Sequence, residues 1–234
     1  MKQVFFVCAL LIGVVTSAQT YNKFDSNGKR DGEWKKNFDN TDVLRYEGTF
    51  SNGEEIGVFK FYKNINGKAL LTATREFKPN TKEAKVTFFA SNGKVISEGR
   101  MRDKTYIGDW KYYHNNSTQL MTLEHYNTKG FLEGVRYIYY PQGQVAEKSL
   151  YEHGKLNGKA IGYAENGNVI KIHHYKMGAL HGEAQFFDEA GELLVEGMYK
   201  NDQKNGVWKY YENGQLKEEK DFTAKSNNPY KRTN

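Results

Sequence analysis

The chain has 234 residues, of which 38% are hydrophobic and 15% aromatic, with 23 glycines and 3 prolines; this is little apolar content for a thick closed core, and it suits many short strands joined by tight turns. The formal net charge of +6 is spread along the chain as alternating Lys and Glu rather than gathered in a block, which argues against a nucleic-acid partner. The single cysteine, Cys8, lies in an apolar leader, so disulfides, thiolate metal sites and cysteine nucleophiles are excluded once that leader is removed.

Residues 1–18 have the form of a secretory signal peptide. Lys2 supplies the positive start and Val4 through Val15 an apolar run too short to span a bilayer. The small residues Thr16-Ser17-Ala18 precede Gln19, which places cleavage near Ala18-Gln19 and predicts an exported chain, periplasmic or secreted.

From there to residue 222 the sequence repeats. Aligned on the residue before each aromatic strand, the copies start at Gly32, Gly57, Ala84, Gly108, Gly134, Gly158, Gly182 and Gly206, at intervals of 24 to 27 residues. A second turn signal follows at Asn40, Gly67, Gly93, Asn116, Gly143, Gly167, Gly191 and Gly214, where Asn keeps the turn chemistry of Gly. Each copy reads as strand, turn, strand, turn. The predicted fold is all-β: an elongated single-sheet array of about eight antiparallel β-hairpin repeats, about 75 Å long. The polar residues 223–234 are predicted to form a disordered tail.

Three columns recur in the strand after each anchor. The second position holds Trp34, Phe59, Val86, Trp110, Arg136, Ala160, Ala184 and Trp208, and shares a face with the fourth position. The fifth position holds Tyr62, Phe89, Tyr113, Tyr139, Tyr163, Phe187 and Tyr211, and points to the opposite face. A single-layer sheet has nothing to bury against, so rings must cover neighbouring glycines and one another. An aromatic row left partly open is also a surface for a partner, and the fifth-position ladder is the candidate partner-binding site.

Chemistry is harder to find. Glu47, Glu98, Glu124 and Glu196 recur singly in the preceding strand, as a solvated row facing lysines rather than as a catalytic pair. The six histidines do not recur in register, and His173 and His174, adjacent in a strand, point to opposite faces. No nucleophile elbow, phosphate loop or dinucleotide fingerprint occurs. The sequence therefore predicts no catalytic residues, no metal and no cofactor.

The stretch Glu196-Gly-Met-Tyr-Lys-Asn201, followed by Gly206-Val-Trp-Lys-Tyr-Tyr-Glu-Asn-Gly214, resembles the bacterial variant of the MORN repeat; Gly108-Asp-Trp-Lys-Tyr-Tyr113 and Gly57-Val-Phe-Lys-Phe-Tyr62 repeat it. The resemblance implies hairpins stacked into a long twisted sheet with a groove. It implies a binding role, either as a protein-interaction scaffold or as an antitoxin-like or immunity protein masking a toxin. Binding to a cell-envelope glycan or phospholipid is the further alternative. Unpaired sheet edges make end-to-end self-association a further expectation.

Overall fold

A computed structural model describes residues 20–223. The signal-peptide expectation for residues 1–18, and all of the expected tail but Thr223, lie outside the described residues. The described chain is one open antiparallel sheet of 17 strands, without a helix. The N-terminal half contributes β1 (Lys23–Phe24), β2 (Arg30–Asn37), β3 (Leu44–Ser51), β4 (Glu54–Ile65), β5 (Lys68–Phe77), β6 (Glu83–Phe89), β7 (Val95–Arg102) and β8 (Thr105–Tyr113). The C-terminal half contributes β9 (Leu120–Tyr126), β10 (Gly134–Tyr139), β11 (Val145–Glu152), β12 (Lys155–Tyr163), β13 (Val169–Lys176), β14 (Ala179–Phe187), β15 (Leu193–Lys200), β16 (Gln203–Glu212) and β17 (Gln215–Asp221). Each strand pairs with its neighbours in the chain, as a continuous meander.

The second turn signal forms turns at every copy. All eight of its residues, including Asn40 (φ 58°) and Asn116 (φ 57°), have left-handed backbone. The anchor glycines differ from expectation, because they lie inside strands. The tight turns come four or five residues earlier, at Asn52-Gly53, His153-Gly154, Met177-Gly178 and Asn201-Asp202, each with φ positive at both residues, as mirror-image hairpin turns require.

At five of the eight anchors the sheet bulges. Glu98 pairs with Lys111 and Arg100 with Ile107, so Gly108-Asp109-Trp110 stand against Gly99 alone. Gly108 takes φ 63° to make the extra length fit. The same shift occurs on β4, β12, β14 and β16. Ala84 shows what the glycine serves: a Cβ disfavours the left-handed conformation, and β5–β6 pair without any shift, joined by a longer loop over residues 78–82.

The bulge seats the core. Trp110, Trp208 and Phe59 are fully buried on one face, each lying on the glycine that the bulge opposes. The indole N–H of Trp110 donates to the Arg100 carbonyl at 2.9 Å, and that of Trp208 to the Met198 carbonyl at 3.1 Å. Surrounding rings pack edge-on or stacked, such as Tyr106 at 3.9 Å from Trp110 and Phe50 and Phe77 against Phe59. A single-layer sheet thus makes its core from one row of rings on one row of small residues.

Candidate interaction surface

The opposite face is organised in two parallel rows that cross all the hairpins. The first is the predicted ladder. Tyr62, Phe89, Tyr113, Tyr139, Tyr163, Phe187 and Tyr211 are all half-buried, and each faces an aliphatic residue across its own hairpin. The pairs are Tyr62–Leu71, Phe89–Val95, Tyr113–Leu120, Tyr139–Val145, Tyr163–Val169, Phe187–Leu193 and Tyr211–Leu216. The result is a half-exposed apolar strip beside the second set of turns. The aliphatic half of this strip went unread in the sequence, although Gly-x-Val or Gly-x-Leu at Gly93, Gly143, Gly167, Gly191 and Gly214 announces it.

The second row borders the strip. In register it runs Lys35, Glu47, Lys60, Thr74, Thr87, Glu98, Lys111, Leu123, Tyr137, Lys148, Ile161, Ile172, Gln185, Glu196, Lys209 and Glu219. Toward its ends it neutralises itself: Glu47 bridges Lys35 (3.7 Å) and Lys60 (3.4 Å), Lys85 reaches Glu98 at 3.2 Å, and Lys209 reaches Glu196 at 4.0 Å. The same glutamates fix ladder rings. The hydroxyls of Tyr62, Tyr113 and Tyr211 donate to Glu47 (2.7 Å), Glu98 (2.6 Å) and Glu196 (2.8 Å).

These bonds set the local acidities. The tyrosine hydroxyls, assisted by the lysines, hold the Glu47 and Glu98 carboxyls below the usual range against an opposing effect of burial. Burial, then the bond to the glutamate, pushes Tyr62 and Tyr113 up to about 12. Lock and ring titrate in opposite directions, as a neutral donor on a carboxylate requires.

Glu124 does not belong to this row. It pairs with Trp110 on the core face, where Arg136 takes the place of an aromatic and reaches it at 3.0 Å. The parity of the strand, read one residue off in the sequence, explains the error: the residue in register with Glu47, Glu98 and Glu196 is Leu123.

The middle of the second face is therefore different from its ends. From β9 to β13 the border row becomes Leu123, Tyr137, Lys148, Ile161 and Ile172. The hydroxyls of Tyr139 and Tyr163 have no hydrogen-bond partner among the described residues, and neither Lys148 nor Lys159 has an ion-pair partner there. Tyr137 stacks on Tyr139, ring centres 6.1 Å apart, and both sites are braced from the turns: His114 contacts the Tyr139 carbonyl and Tyr140 donates to the Tyr163 carbonyl. Among the described residues, no group of three or more His, Cys, Asp or Glu is placed to hold a metal ion.

Residues 132–153, 156–177, 180–201 and 204–224 match the family model of the MORN repeat variant, as four tandem repeats. The match lies in the C-terminal portion of the chain, and the same meander continues through the hairpins before it. No match to a curated protein was found.

Proposed function

We propose that this chain of MORN-type repeats is an exported, non-enzymatic protein-interaction scaffold, and that the partner lies along the fifth-position ladder. One observation carries the reading: the apolar strip is continuous, and in its middle section, around Tyr139 and Tyr163, the charge pairs that cover its border elsewhere give way to Leu123, Ile161 and Ile172. Rings with unsatisfied hydroxyls on a half-exposed apolar surface suit a partner that brings both apolar area and hydrogen-bond acceptors. The core face suits this role less, because its rings are spent on one another and on the glycines beneath them. Export rests on the leader at residues 1–18, and the N-terminal mass of the protein recovered outside the cytoplasm tests it.

The interaction is tested by affinity capture from envelope and secreted fractions, with a Tyr139→Ser/Tyr163→Ser variant beside the wild type. Circular dichroism first establishes that the variant folds. A protein partner lost in the folded variant supports the reading, and a toxin as that partner places the chain in an immunity role. Undiminished capture by the variant sinks it. So does retention on cell-wall or lipid material alone.

A further inference from the structure

The ladder has a period, and the period selects a ligand. Its rings stand on every second strand, so successive rings are about 9.6 Å apart along the strip. A polyproline II helix has three residues per turn and rises about 9.3 Å per turn. An α-helix needs two turns, about 10.8 Å, to return a side chain to the same line. A β-strand returns one to the same face about every 6.7 Å, and so meets the rings out of step. From Tyr113 to Phe187, three ladder intervals, the polyproline II repeat drifts by about 1 Å and the helical one by nearly 4 Å.

Resting on the interaction reading above, the geometry points to a polyproline II segment as the occupant of the strip, with proline or another apolar residue at every third position and at least one acidic residue. Such a segment brings an exposed backbone of carbonyl acceptors, which the free hydroxyls of Tyr139 and Tyr163 match. Aromatic-lined grooves favour this conformation because it is ordered before it binds. The acidic residue follows from charge: Lys148 and Lys159 are exposed and without carboxylate partners on a face whose other lysines at Glu47, Glu98 and Glu196 are neutralised. Across the middle section, from β8 to β14, the strip accommodates about nine residues at 3.1 Å each.

The test uses three fluorescent twelve-residue peptides and the full folded chain. The first repeats Leu-Pro-Pro with one central proline replaced by Glu. The second alternates Leu with polar residues as a strand, and the third spaces Leu for a helix, each with one Glu. The first is expected to bind most tightly, and Lys148→Glu, an exposed change that leaves the core untouched, to weaken it about tenfold in low salt. Tyr139→Ser/Tyr163→Ser is expected to abolish it. Equal or tighter binding of either control, no binding of the first peptide, or indifference to Lys148→Glu overturns the inference. A captured partner that depends on Tyr139 and Tyr163 yet lays a helix on the strip overturns the ligand while leaving the scaffold reading intact.

Discussion

The indole of Trp110 lies directly on Gly99: a Cβ added at Gly99 meets Cδ2 of the ring at 2.3 Å. Gly197 stands to Trp208, and Gly48 to Phe59, in the same way. The ring cannot retreat easily, since its N–H is tied to Arg100 and Tyr106 is stacked on it at 3.9 Å. Gly99→Ala is therefore expected to destabilise the protein by about 3 kcal/mol, the scale of severe overpacking. Ser149→Ala, at the matching place in a copy whose core residue is only Ala160, is expected to cost about 1 kcal/mol for the lost bond to Glu147. Urea unfolding of both variants tests the ranking.

One anchor, Gly206, offers a backbone experiment free of packing. At Gly206 (φ 69°) an added Cβ meets nothing within 4 Å, so Gly206→Ala isolates the cost of left-handed backbone, about 1–2 kcal/mol. At Ala84 the register has no bulge to preserve. Ala84→Gly is expected to destabilise by about 1 kcal/mol through a lost buried methyl and a freer unfolded chain. Opposite exchanges at equivalent positions, each unfavourable, are the signature of a repeat that has lost its bulge.

The tyrosine–glutamate locks predict stability losses at both ends of the pH scale. The carboxyls of Glu47 and Glu98 are lower in the folded state than their ordinary 4.5, so their contribution is present above that value and is lost as pH falls through the folded value. The hydroxyls of Tyr62 and Tyr113 rise from 10.0 to about 12, so theirs is present below pH 10 and is lost as pH climbs through 12. In the Tyr62→Phe/Tyr113→Phe variant both limbs should flatten. Unfolding midpoints across the acid and alkaline ranges, with phenolate absorbance following ionisation, measure this.

The fold was legible because turn chemistry is local. Asn-Gly pairs and the glycines after them mark hairpins wherever they occur, and Asn40 and Asn116 took the backbone that Gly takes elsewhere. The anchors were misplaced for a physical reason: a glycine with positive φ serves a turn and a bulge alike, and only the cross-strand register separates them. Glu124 was misassigned because parity within a strand depends on where that bulge falls. The ladder was readable as a column, but its aliphatic partners and the uncharged middle section arise from pairing between strands. No single strand contains them.

Glu124 and Arg136 form an ion pair on the core face, and this pair yields the sharpest prediction. In the N-terminal hairpins Trp34 and Phe59 flank Gly48, whereas Trp110 and Arg136 flank Glu124. The Glu124 side chain is 14% exposed and that of Arg136 25%, so each relies on the other. Arg136→Ala strands a largely buried carboxylate, left without a cation beside the Tyr126 hydroxyl, and is expected to cost about 2 kcal/mol. Arg136→Phe by itself strands the same carboxylate and adds a ring with no glycine to lie on. The double variant Glu124→Gly/Arg136→Phe rebuilds the Trp34–Gly48–Phe59 arrangement, and is expected to be at least as stable as the wild type although Arg136→Phe alone is not. A double-mutant cycle in urea reads the coupling directly. Additive costs would mean that position 136 does not seat a ring as position 59 does.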